Sequence, residues 1–141
     1  MRGRVDDSGR AIVEVTLAAN GHDGPHSIDV WVDTGFTGDL VIPRSIVEKL
    51  VLHQTGTVDG LLADGTQVLL ATYHCEIEWF GKSRSLEVIA NDGEMPLLGV
   101  GLLLAKELRI DYTKSCRSPL LVRSLVESTN AQIQPVSARR G

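Results

Sequence analysis

The segment Val30-Trp31-Val32-Asp33-Thr34-Gly35-Phe36-Thr37-Gly38 puts an ionisable residue at the end of an apolar run and two glycines within the next five positions. A chain built this way turns sharply as it leaves the strand, with its backbone amides uncovered. That is a way to present one carboxylate in a fixed pose. Thr34 sets a hydroxyl beside Asp33, and Gly35 offers an N–H that no side chain screens; both can hydrogen-bond a carboxylate or a neighbouring strand end. The plain alternative is an Asp that caps a turn, and a three-residue motif recurs by chance often enough that its surroundings have to decide.

Upstream, Ile12, Val13, Val15 and Leu17 and then Ile28, Val30 and Val32 alternate in the β manner. Between them Asn20-Gly21-His22-Asp23-Gly24-Pro25 is dense in turn formers, so the two runs are expected to form a hairpin. Downstream, Leu40-Val41-Ile42 reads as a short strand. Pro43 then stands where a first helical turn tolerates it, with Ile46, Val47 and Leu50 at helical spacing to about Leu50. From Thr57 to Ile89 β signals return, with Ala63-Asp64-Gly65-Thr66 as a tight turn between Leu61-Leu62 and Val68-Leu69-Leu70, and a second turn at Gly81-Lys82. Pro96-Leu97-Leu98-Gly99 predicts a buried strand, Leu102 to Lys106 a second short helix, Leu108 to Tyr112 a strand and Ser118 to Leu125 one more. Many short strands, brief helices and regular turns give an all-β barrel or sandwich. There is no internal repeat.

The 141 residues suit one domain, expected over 1–127, with the polar tail 128–141 expected to be disordered. A spread net charge of −4 and only 4% aromatic residues leave neither a basic run nor stacking platforms, so no nucleic-acid partner is expected. No apolar run has signal-peptide or membrane-span length, so no membrane partner and a cytoplasmic location are expected. Cys75 and Cys116 are too few for a disulfide framework and read as buried small hydrophobes. His22 and His26 flank Asp23 in a Gly/Pro loop without a further ligand pair, so no metal site is assigned. His53 and His74 are isolated. No serine sits in a nucleophile elbow, and Cys75 has no orienting network.

Taken together, the sequence resembles clan AA, the retropepsin-like aspartic proteases, and in particular the small prokaryotic branch whose motif reads Asp-Thr-Gly-Phe. The resemblance runs through Gly3-Arg4-Val5-Asp6, Asp33-Thr34-Gly35-Phe36-Thr37-Gly38, Leu61-Leu62-Ala63-Asp64-Gly65-Thr66, Leu97-Leu98-Gly99-Val100 and Glu107-Leu108-Arg109-Ile110, leaving only the residues beyond about Leu125 outside it. It implies an all-β fold: a retropepsin-like acid-protease barrel with one or two short helices, one lobe per chain, in a symmetric homodimer. In that architecture the strand bearing the Asp lies next to a strand ending in two hydrophobic residues and a Gly, here Leu97-Leu98-Gly99, where the chain crosses in a ψ shape.

By the same resemblance Asp33 is the catalytic aspartate, Thr34 the residue whose hydroxyl reaches across the two-fold axis, and Gly35 the position whose N–H steadies the carboxylate. Phe36 departs from the small residue of viral members and would narrow the pocket beside the aspartates. Val58 to Val68 resembles the flap, with Gly60, Leu61, Leu62, Ala63, Asp64 and Gly65 closing over a peptide or protein substrate. Only one Asp-Thr-Gly occurs, whereas the chemistry needs two carboxyls, so a homodimer is implied. No cofactor is implied. The expected activity is aspartic endopeptidase; the alternative is a non-catalytic dimeric barrel that binds peptide as an added strand or serves in assembly.

Overall fold

The computed structural model describes residues 1–18, 24–113 and 119–124. Asn20, Gly21, His22 and Asp23 of the expected turn, Cys116, and the tail beyond Ser124 lie outside the described residues. Twelve elements follow one another: β1 (Arg2–Val5), β2 (Ala11–Leu17), β3 (His26–Val32), β4 (Leu40–Pro43), α1 (Arg44–Lys49), β5 (Gln54–Leu61), β6 (Gln67–Trp79), β7 (Lys82–Asn91), β8 (Leu97–Leu98), α2 (Val100–Leu103), β9 (Lys106–Ile110) and β10 (Pro119–Ser124). The all-β expectation is met, with two short helices.

The alternation read in the sequence becomes the β2–β3 hairpin, in which Val13 faces Val30 and Val15 faces Ile28, all buried. β1 carries no such signal, since only Val5 of its four residues is buried. It is made by a turn: the Asp6 carboxylate accepts the backbone N–H groups of Ser8 and Arg10 at 3.0 and 2.9 Å and folds the chain back onto β2. The hairpin between β6 and β7 turns at Phe80-Gly81, one residue earlier than expected. Both have positive φ, 51° and 74°, as a two-residue hairpin with the favoured twist requires. The Phe80 ring is held edge-on against Trp79, with the Lys106 ammonium 5.1 Å from its centre.

One ten-stranded sheet runs β5-β6-β7-β4-β8-β3-β2-β1-β10-β9. Because β6 also pairs with β2 through Thr16–Glu78 and Leu17–Ile77, the strands from β6 through β4 and β3 to β2 close on themselves as a barrel. Inside it lie Val13, Val15, Leu17, Val30, Leu40, Ile42, Ile77, Val88, Leu98 and Leu102, which form one core. Pro43 ends β4 opposite Asn91, and its φ of −59° starts α1 without needing a donor. The second helix is shorter and earlier than the leucine run predicts. It spans Val100–Leu103, and Ala105 then takes φ 57°, because Lys106 is already paired with Ser124 in the β9–β10 ladder.

What positions the candidate site is β8. Only two residues long, it lies parallel to β3 and antiparallel to β4, inserted between two strands consecutive in the chain. The segment 33–39 therefore has to cross over the end of β8.

Cys75 is buried in this core, as expected, and its thiol donates weakly to the Glu76 carbonyl. Burial first, and then the Glu76 carboxylate, push the thiol up to about 11. In a Cys116→Ser background, iodoacetamide at pH 8 should leave Cys75 unmodified in the native protein and alkylate it once urea unfolds the chain. A folded-state value above the ordinary 9.0 favours the protonated fold, so that contribution is whole below about pH 9 and fades as pH rises towards about 11. Urea midpoints across that window should fall, and Cys75→Ala should flatten part of the fall.

Candidate active site

Asp33 continues the β3 ladder by one hydrogen bond, its N–H reaching the Leu98 carbonyl at 2.8 Å, and the chain then leaves the sheet. The Gly35 N–H donates to Asp33 Oδ1 at 2.9 Å, and the Phe36 N–H to the Asp33 carbonyl at 3.2 Å. The first is the contact that the uncovered glycine amide suggested. A Cβ at Gly35 would lie 3.2 Å from that same carboxylate oxygen, so the absence of a side chain keeps the carboxylate close to the turn. Asp33 is half-buried. Thr34 is exposed, and among the described residues its hydroxyl has no hydrogen-bond partner.

The loop is clamped from below by the start of α2. Val100 N–H donates to the Phe36 carbonyl at 2.8 Å, Gly99 N–H to the Asp39 carbonyl at 2.9 Å and Gly101 N–H to the Gly38 carbonyl at 3.0 Å. These bonds need the two backbones in contact. A Cβ on Gly99 would run into the Gly38 carbonyl and the Phe36 ring, and one on Gly101 into the Asp39 carboxylate. The Phe36 ring folds back over Gly38 and reaches Gly99, filling the space that the missing side chains leave. Within this chain the ring thus packs against its own loop.

Gly60, Leu61, Leu62, Ala63, Asp64 and Gly65, expected as the flap, form the end of the β5–β6 hairpin, and β5 is an edge of the sheet. Asp64 braces its tip by accepting the Thr66 N–H at 2.9 Å, and Thr66 holds its carboxyl below the ordinary value. Gly65 has φ 84°, a turn glycine. Gly60 is paired with Val68 in the ladder, and a Cβ there would press on the Leu70 side chain. Leu61 and Leu69 are about 70% exposed and Leu62 about half. Asp33, Thr34, Gly35 and Phe36 are thus gathered in one loop against Gly99, while the hairpin residues stand apart from them in the sheet order.

No family model and no curated protein matches the sequence. Solved structures do. A retropepsin-like aspartic protease from Rickettsia conorii superposes with a TM-score of 0.59 at 19% identity, over 86% of this chain and 88% of that one. The fold is retropepsin-like. The EIAV protease complexed with the inhibitor HBY-793 gives a TM-score of 0.50 at 20% identity, over 67% of this chain and 86% of that chain. The foamy viral protease-reverse transcriptase, in complex with an RNA/DNA hybrid, gives 0.51 at 12% identity over 73% of this chain, which spans 13% of that chain.

In this retropepsin-like frame the sheet register adds neighbours of Asp33 that the motif alone does not name. Side chains two apart on a strand share a face, so Trp31 stands on Asp33's side of β3. Leu97 is its partner on β8. Trp31 is 39% exposed and Leu97 half-buried, whereas Val32 and Leu98 point into the core. The signal for Trp31 is in the sequence, as the residue two before Asp33; the one for Leu97 needs the pairing of β3 with β8.

The clamp generates a test. Gly99→Ala should destabilise the fold by about 2 kcal/mol or more, because backbone on both sides would have to move. Gly56→Ala, whose Cβ would meet only Thr72 at 3.7 Å, should stay within about 0.5 kcal/mol of wild type. Urea unfolding of the two variants measures both.

Proposed function

We propose that this chain is one half of an aspartic endopeptidase, whose active centre forms when two copies bring their Asp33 carboxyls together on a two-fold axis. The observation that carries the reading is the Asp33 carboxylate, held by the Gly35 N–H at 2.9 Å at the end of a strand, in a retropepsin-like fold that contains it once. Two carboxyls in contact do not both ionise readily, so the pair holds one proton. The ionised Asp33 takes a proton from a water, whose oxygen attacks the peptide carbonyl carbon. The protonated Asp33 hydrogen-bonds the carbonyl oxygen and passes its proton to it. The Asp33 that took the water's proton then gives it to the amide nitrogen, and the C–N bond breaks as the other Asp33 takes a proton back from a hydroxyl, releasing a carboxylic acid and an amine and restoring the shared proton.

The remaining roles follow from position. Thr34, exposed and without a hydrogen-bond partner among the described residues, would give its hydroxyl to the other subunit's loop, while Gly35 steadies the carboxylate. The apolar tip residues Leu61 and Leu62, with Ala63, Asp64 and Gly65 as the turn and Gly60 behind it, would lie over the bound peptide and exclude water. Phe36 would border the pocket from within its loop. The reaction needs only water and the two carboxyls, so no cofactor is called for. Among the described residues no helix is long and apolar enough to cross a membrane.

Asp33→Asn should abolish cleavage of casein or a peptide library, and a statine-type inhibitor should block the wild type; a protein that cuts nothing from acid to neutral pH would instead be a binding or assembly barrel. Sharing of the site has its own signature. When wild-type and Asp33→Asn chains are unfolded, mixed equally and refolded, random pairing should leave about one quarter of the activity, whereas a self-sufficient chain would leave about one half. Thr34→Val should weaken the dimer by about 1–3 kcal/mol in sedimentation at several concentrations. The rate should follow a bell in pH, since the pair works only while it shares one proton.

A further inference from the structure

The outer face of the β1–β2–β3 ladder carries two arginines in contrasting states. Arg4 is closed: its two terminal nitrogens both reach the Asp29 carboxylate, at 3.4 and 2.6 Å. Arg10 is open. Its Nε donates to Asp6 Oδ2 at 2.7 Å, and among the described residues its two terminal nitrogens have no partner. The same Asp6 carboxylate accepts the Arg10 backbone N–H at 2.9 Å, so one acidic side chain fixes both ends of the arginine. The guanidinium carbon lies 5.9 Å from the centre of the Trp31 ring, within range of a cation–π contact. A guanidinium ordinarily spends conformational freedom when it grips a ligand; here the aim of the group is already set.

Its place in the sheet gives this arrangement a direction. In the β2–β3 ladder Ile12 faces Trp31, and continuing that antiparallel register by two residues sets Arg10 level with Asp33. Ile12 is buried yet lies outside the barrel core, as expected for a side chain covered on the outer face by its neighbours there. Trp31 is about 6.6 Å from Asp33 along the strand, the rise of two residues. Leu97 extends the apolar surface of the indole onto β8. Next to the catalytic carboxyl there is therefore an apolar wall with an unfilled, planar, cationic fork at its rim.

We propose that Arg10, Trp31 and Leu97 select a substrate side chain of the glutamate kind, whose methylenes lie on the indole and Leu97 and whose carboxylate takes the free fork of Arg10, within two residues of the scissile bond. This rests on the aspartic endopeptidase reading and names its substrate class. Two parallel N–H donors match a carboxylate and not an amide, so the discrimination is between Glu and Gln, which are equal in shape. Asp6 does not cancel the donors, because it engages only Nε.

The test uses octapeptides with an apolar central pair, each carrying Glu or Gln at one of the two positions on either side. Binding is read with the full-length Asp33→Asn protein by calorimetry, and kcat/KM with the wild type. At one position on each side, Glu should be preferred to Gln by on the order of tenfold, as a charge-assisted hydrogen bond at a partly exposed site gives. Arg10→Gln should remove the preference and Arg10→Lys, which keeps the charge and loses the fork, should retain only part of it. Equal binding of Glu and Gln peptides at every position, or a preference that survives Arg10→Gln, would overturn the proposal. So would an Arg10→Gln protein that loses dimer in sedimentation with its Glu preference intact, since the fork would then face the other subunit. If the Asp33→Asn protein prefers Glu in an Arg10-dependent way and the wild type still cuts nothing, the recognition unit stands and the hydrolytic reading falls.

Discussion

At Gly99 two backbones pass so closely that no side chain fits between them, and the geometry of the candidate site depends on that contact. The Phe36–Asp39 loop and the start of α2 exchange hydrogen bonds from Val100, Gly99 and Gly101 only because two of those three residues lack a Cβ. The contact forces β8 between β3 and β4, and the insertion of β8 in turn makes the chain after β3 leave the sheet at Asp33. A carboxylate at a strand end is ordinary. One whose loop is bonded to a neighbouring strand end and a helix start has little freedom to drift, and pre-set geometry of that kind is what acid–base chemistry requires.

Phe36 belongs to the same constraint. Its ring over Gly38 and Gly99 occupies the volume that the close approach opens, so the loop is packed on one side and hydrogen-bonded on the other. Asp33 accepts the Gly35 N–H of its own turn on Oδ1, and among the described residues its second oxygen has no hydrogen-bond partner. Thr34 is exposed, and among the described residues its hydroxyl is unpartnered. A hydroxyl turned outwards beside a fixed carboxylate supports the shared site proposed above.

The barrel was readable in the sequence where burial alternates. Val13, Val15, Val30 and Val32 each announce their face, and the turns at Asp64-Gly65 and near Gly81 announce themselves by residue type. β1 was not, because Arg2, Gly3 and Arg4 bury little and the strand exists through the Asp6 turn and its pairing with β2 and β10. The second helix was misplaced because Leu102 to Ala105 favours helix locally, while the β9–β10 ladder claims the chain from Lys106 onwards. Of the site, the Gly35–Asp33 bond could be foreseen from residue types at fixed spacing. The Gly99 clamp, Leu97 beside Trp31 and Arg10 level with Asp33 depend on strand order and register, which periodicity does not contain.

Exposed apolar surface also distinguishes the two edges that the sheet has among the described residues. Among the described residues β9 is bounded by β10 on one side only, and it carries Lys106, Glu107 and Arg109, charges that discourage a foreign strand from pairing there; Glu107 is held by Arg123 across the ladder. β5, at the opposite edge, is polar from Gln54 to Thr57 and turns apolar only towards its end, where Leu61, Leu62 and, across the hairpin, Leu69 stand in solvent. Exposing leucines at the tip of an edge hairpin invites aggregation unless something covers them. Confinement of that surface to the tip, with polar residues along the rest of the strand, is what a hairpin that closes over an extended peptide would require: apolar cover where the substrate lies, and no continuous apolar edge for a second sheet to extend.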